Sequence, residues 1–143
     1  MSVTKAEVKN MRFQMKMNLL QLVCHEGAVK ILEILRKLFL GDEFAMSDIV
    51  NHKDAHLGSK AIHFAAASGK REIIEMLIHD FGANIHDMTE NKQTVIHCAS
   101  QRHSGVYSIF LFCQVLKMSA RKRDMNKSTA LHFAALSGLI KNV

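Results

Sequence analysis

Apolar residues recur along this chain at helical intervals. Between Glu72 and Phe81, the positions Ile73, Met76, Leu77 and Phe81 fall on one face of a 3.6-residue period. Val29, Leu32, Leu35 and Phe39 repeat the pattern over Val29 to Phe39. Val106, Ile109, Phe110, Cys113 and Leu116 give it again between Val106 and Met118. Each stretch predicts an amphipathic helix with one buried face. The first 16 residues, with Val3, Val8, Met11 and Met15, predict a helical N-terminal cap. Proline is absent, and long Pro-free stretches favour helices over strand-rich folds with their turn punctuation. The class expected is all-α.

Shorter, alanine-rich segments lie between these helices, and they repeat. Ile62-His63-Phe64-Ala65-Ala66-Ala67-Ser68-Gly69 returns as Leu131-His132-Phe133-Ala134-Ala135-Leu136-Ser137-Gly138. A weaker copy, Ile96-His97-Cys98-Ala99-Ser100-Gln101-Arg102-His103, stands between them. The histidines are therefore 34 and 35 residues apart. A fourth, degenerate copy is Leu20-Gln21-Leu22-Val23-Cys24-His25-Glu26-Gly27, with Gln21 in the histidine slot, 42 residues before His63. The longer spacing predicts an insertion around Gly41 to Asn51, read as a long connection.

A period near 34 fits two repeat architectures. The tetratricopeptide pattern needs Trp and Tyr landmarks, and the chain has no Trp. The pattern L-H-x-A-A-x-x-G resembles the ankyrin repeat, whose period is about 33. This resemblance implies a helical solenoid with short hairpin-like loops. Thr94 and Thr129 stand where a hydroxyl caps the inner helix. The Ala pairs let neighbouring inner helices approach closely. Gly69 and Gly138 suit a positive-φ turn after it, and Gly82-Ala83-Asn84-Ile85 matches the step into the next loop. The proline usual at the first inner-helix position is replaced by Ala61, Val95 and Ala130, Lys60 replaces a capping threonine, and His103 stands where glycine is expected. Each lost cap costs on the order of 1 kcal/mol.

The units expected are a cap over 1–16, a degenerate repeat with its insertion over 17–50, a second repeat over 51–86, a third over 87–122 and a partial fourth over 123–143. The fourth ends before an outer helix, leaving Leu131, Phe133 and Leu139 short of cover. This predicts that the sequence is the N-terminal piece of a longer protein, or that a partner or a second copy covers the ragged end.

Lys and Arg total 19 against 13 Asp and Glu, a net charge of +6. That charge is diffuse, so no specific nucleic-acid partner is expected. The densest cluster, Lys117 with Arg121-Lys122-Arg123, reads as a solvated loop, with nuclear import or contact with acidic partners or lipid headgroups as the alternatives. Three cysteines, Cys24, Cys98 and Cys113, form no disulfide framework and fit a reducing compartment, cytoplasm or nucleus. Cys98 and Cys113 read as small core residues. The polar start lacks the apolar region of a signal peptide, and the longest apolar run, Val106 to Leu116, falls short of the ~20 residues of a membrane span.

His52 and His56 are four apart but in a predicted loop with no fixed third ligand, so no metal is expected. Gly-rich phosphate loops and G-x-S-x-G elbows are missing from the sequence. No cofactor and no catalytic residue are assigned, and the chain is not expected to be an enzyme. The resemblance implies instead a protein-binding surface of loop tips and inner helices. Its loop-tip candidates are His56, Leu57, Glu90, Asn91, Met125 and Asn126. Its inner-helix candidates are His25, Glu26, Ala67, Ser68, Gln101, Arg102, Leu136 and Ser137, with the Gln101–Arg102 pair foremost. The function expected is a scaffold or adaptor that binds another protein. Two alternatives are a targeting segment of a larger membrane enzyme or channel, as in ankyrin-bearing palmitoyltransferases, and an inhibitor that masks a transcription factor.

Overall fold

The computed structural model describes residues 4–102, 105–115, 117–119 and 121–137. Its helices, in chain order, are α1 (Lys5–Asn10), α2 (Leu19–Glu26), α3 (Val29–Phe39), α4 (Glu43–Asn51), α5 (Ala61–Ser68), α6 (Arg71–His79), α7 (Val95–Ser100), α8 (Val106–Phe110) and α9 (Ala130–Ser137). No strand occurs among the described residues.

Helices α2, α5, α7 and α9 carry the short alanine-rich segments, and each packs on the next along one row. They can do so because their contact positions are small: Ala65, Ala66 and Ala99 are fully buried. The amphipathic helices form a second row behind them. Leu32, Leu35 and Phe39 of α3 and Ile73, Ile74 and Leu77 of α6 enter the core. Each such side chain contributes roughly 1.5–3 kcal/mol by leaving water. Gly27 and Gly69 end α2 and α5 with φ of 71° and 74°, the left-handed turn that lets the chain double back into the outer helix.

The starts of α5, α7 and α2 are each held by one side chain facing two ways. The His63 Nδ1 accepts the Lys60 N–H (3.0 Å), while its Nε2 donates to the Asp87 carbonyl (3.0 Å) of the next repeat. His97 does the same between the Thr94 N–H (3.0 Å) and the Ser128 carbonyl (2.9 Å). In the first repeat Gln21 takes the place of the ring. Its Oε1 accepts the Asn18 N–H (3.0 Å), and its Nε2 donates to the carbonyls of His52 (2.7 Å) and Ser59 (2.8 Å). An amide carries the same acceptor–donor pair as a neutral imidazole, so this copy is degenerate in sequence but not in bonding. Lys60 makes no side-chain cap, whereas the Thr94 hydroxyl accepts the His97 N–H (3.4 Å).

Three expectations are corrected. The helix expected over residues 1–16 is confined to Lys5–Asn10, where Val8 is buried; Val3 lies outside the described residues, and Met15 is 58% exposed. The long connection around Gly41 to Asn51 is itself the helix α4. Asp42 caps it by accepting the Ala45 N–H (3.1 Å), and Ala45, Ile49 and Val50 bury its inner face. The third outer helix does not run to Met118. After Phe110 the chain takes a wider π turn over Leu111–Val115. A π turn shifts the buried face, so Leu111 and Phe112 enter the core while Val106 is half exposed.

Candidate protein-binding surface

Ahead of each inner helix the chain closes a hairpin-like finger. Backbone bonds join Phe13 N–H to Met17 (2.8 Å), Asp54 N–H to Ser59 (3.0 Å), Thr89 N–H to Gln93 (3.0 Å) and Asp124 N–H to Ser128 (2.9 Å). Successive fingers are stacked by further backbone bonds. The Ala55 N–H reaches the Met15 carbonyl (2.6 Å), Glu90 N–H reaches Leu57 (2.8 Å) and Met125 N–H reaches Asn91 (2.7 Å). The expected loop-tip candidates Leu57, Glu90, Asn91 and Met125 therefore build the row with their backbones. His56, Glu90, Met125 and Asn126 are exposed, Leu57 and Asn91 partly so.

The fingers keep their shape through side chains that sequence reasoning missed. The Asp54 Oδ1 accepts the N–H groups of Leu57 (3.2 Å) and Ser59 (2.9 Å). Thr89 Oγ1 accepts the Gln93 N–H (3.1 Å), and Asp124 Oδ1 accepts those of Asn126 and Ser128 (both 2.9 Å). The signal was present: Asp54, Thr89 and Asp124 recur eight or nine residues before His63, His97 and His132. Short side chains with an oxygen acceptor are those that fold back on their own turn.

Between the fingers and the inner helices lies a groove of about 210 Å³. It brings together six of the expected residues, His25, His56, Leu57, Ala67, Gln101 and Arg102, from three different repeats. Asp54, Ser59, His63, Phe64, Gln93 and Cys98 complete the lining. An Arg102 guanidinium N–H points at His25 Nε2 (3.4 Å) across 77 residues of sequence, and His25 Nδ1 faces Glu26 Oε1 (3.3 Å). The His25 ring also meets the Phe64 ring edge-on, with centroids 6.0 Å apart. Gln101 reaches Gln93 Oε1 (3.4 Å). Ser68, partly exposed, donates to the Ala65 carbonyl (2.7 Å) and is not among the groove-lining residues. Leu136 and Ser137 close α9, but their side chains lie outside the described part.

Cys98, expected as a small packed residue, is partly buried and also lines the groove. Shelter from water pushes its thiol up to about 12. Burial also raises the thiols of Cys24, which is fully enclosed, and Cys113. His63, at the groove floor, is held below its usual 6.5 chiefly by burial. Among the described residues no group of three or more His, Cys, Asp or Glu converges on a metal position. None of the described helices is long and apolar enough to cross a membrane.

A family model for ankyrin repeats in three copies matches residues 62–143, more than half of the sequence. The chain belongs to the ankyrin-repeat family. It is similar to the human "Ankyrin repeat domain-containing protein 53", 32% identical over 85 residues, a match covering 58% of this chain and 16% of that protein. The Macaca fascicularis protein of the same name is 28% identical over 85 residues, covering 58% and 17%. This chain thus corresponds to a small part of the length of those relatives. Its ankyrin fold is similar to a chain in the crystal structure of the yeast ribosomal protein Rps3 in complex with its chaperone Yar1. There the TM-score is 0.66 at 20% identity, covering 83% of this chain and 82% of that one. Ankyrin repeats are in general interaction modules without catalysis, and the two-row solenoid with its finger edge is the architecture that such modules share.

Proposed function

We propose that this chain is a non-catalytic adaptor whose protein partner seats in the groove between the fingers and the inner helices, with Gln101 and Arg102 as its central contacts. The observation that carries this reading is the convergence of His25, His56 and Arg102, from three repeats, on one concave opening. Side chains far apart in sequence share a polar rim, while Phe64 and Ala67 offer an apolar floor. That combination fits a protein interface, where aromatic and Arg contacts dominate the binding energy. The raised Cys98 thiol supports a binding role over a nucleophilic one. Three free cysteines support a reducing compartment, cytoplasm or nucleus.

The test is affinity capture with the chain as bait beside a Gln101→Ala/Arg102→Ala version. Loss of a specific protein from the double variant is expected. An unchanged catch would move the partner off the groove.

A further inference from the structure

Besides Met15 (φ 56°) in the first finger, every finger has a residue in the left-handed backbone region at the same register, five positions before the side chain that anchors the inner helix. These residues are Lys16 (φ 55°), Gly58 (φ 65°), Lys92 (φ 60°) and Lys127 (φ 62°). Glycine adopts this conformation freely, whereas a residue with a Cβ is strained there. Only Gly58 has a local reason to be glycine, since a Cβ would come within 2.6 Å of the Glu90 side chain. The other three fingers place lysine where the backbone favours glycine, and all three lysines are exposed. Among the described residues none of them makes an ion pair or a side-chain hydrogen bond.

Most carboxylates on this edge have partners of their own. Asp54 and Asp124 accept backbone N–H groups within their own fingers. Asp87 pairs with Lys60 (2.9 Å), Glu26 faces His25 (3.3 Å), and Glu90 lies over Gly58. Other acidic side chains, such as Glu33, Glu43, Glu72 and Glu75, are carried by the outer helices and α4. The finger edge therefore exposes three lysines without an ion pair among the described residues, beside carboxylates of which Glu90 is the exposed one at a finger tip.

We infer that the finger row docks an acidic, extended segment of a partner protein, with Lys16, Lys92 and Lys127 each meeting a carboxylate. This rests on the adaptor reading and adds the chemistry of the partner. The backbone bonds that stack the fingers set the three lysine backbone positions in a row, so a chain crossing the repeats meets them in succession. Arg102 extends the positive surface into the groove. Glu90 interrupts the row at the second and third fingers and disfavours a carboxylate there, which sets the register of the segment.

The test is fluorescence anisotropy with a fluorescein-labelled Glu-rich peptide, the same peptide with Gln for Glu, polyuridylate RNA, and phosphatidylserine vesicles assayed by co-sedimentation. The decisive variant is Lys16→Gly/Lys92→Gly/Lys127→Gly. Because glycine relieves the positive φ, this variant is expected to melt no lower than the parent, so weaker binding cannot come from unfolding. The Glu-rich peptide is expected to bind more tightly than the Gln version, and less tightly as salt screens the charges. An exposed ion pair is worth about two- to threefold, so the triple variant should lose roughly tenfold. Lys30→Ala/Lys37→Ala on α3 should bind as the parent does. Equal binding of the Glu and Gln peptides, or full affinity in the triple variant, overturns the inference. So does tighter binding of RNA or vesicles that the triple variant loses. If Gln101→Ala/Arg102→Ala abolishes capture of a protein while the triple variant captures it undiminished, the adaptor reading stands and the acidic-segment inference falls.

Discussion

His63 shows how one side chain ties two repeats together. It is almost fully buried, accepts from Lys60 and donates to Asp87, and must be neutral to do both. Burial lowers its folded pKa below the ordinary 6.5, so the unfolded chain binds more protons in the acid range. Stability should thus be full above about pH 6.5 and decline as pH falls toward the folded value, since protonation favours unfolding. Gln21 already performs the same task without titrating. His63→Gln should keep both bonds and reduce the acid sensitivity, whereas His63→Ala, leaving a buried N–H and carbonyl unmet, should cost about 3 kcal/mol. Urea unfolding at about pH 7.5 and about pH 5.5 compares the three. A wild-type-like pH slope in His63→Gln would assign the sensitivity to another group. At Lys92 the backbone rather than the side chain decides: Lys92→Gly should raise the unfolding midpoint, by up to about 1 kcal/mol, and a lower midpoint would refute the strain.

At the scale of the element, α4 is where periodicity alone misled. Its apolar positions Ala45, Ile49 and Val50 span too few turns to register as a periodic face, although Asp42 and Glu43 form a legible helix start. Tertiary contact with α1, α3 and α5 supplies what the short pattern lacks. Ile49→Ala should therefore cost about 2–4 kcal/mol. Phe44, on the same helix but 89% exposed, should tolerate Phe44→Ala within about 0.5 kcal/mol. Thermal melts by circular dichroism separate the two, and equal losses would mean that Phe44 has an unseen packing partner. The π turn after Phe110 is the other instance. A helical period read straight through Val106 to Met118 cannot anticipate the widened turn that brings Leu111 and Phe112 inward.

For the whole molecule, each repeat touches chiefly its neighbours, so stability is shared along the row. Helix α5 is covered on both sides by α2 and α7, while α9 is covered by α7 and leaves Leu131 65% exposed. Amide hydrogen exchange should be slowest in α5 and distinctly faster in α9 and α1. Equal protection in α9 and α5 would show that the end of the array is stabilised as well as its middle.

What the sequence by itself determined was the periodic part: an ankyrin-type solenoid, the three histidines in register, and the candidates His25, His56, Leu57, Ala67, Gln101 and Arg102. These are legible because a repeat imposes its pattern locally and in copies, so spacing alone reports the shared geometry. Tertiary structure alone decided which candidates meet. Arg102 reaches His25 only because α2, α5 and α7 stack, and Cys98 turns to the groove because its helix presents that side. The finger register of Lys16, Lys92 and Lys127 was likewise hidden, since the sign of φ is not written in a lysine. It emerges from the backbone bonds that close each finger and stack it on the next.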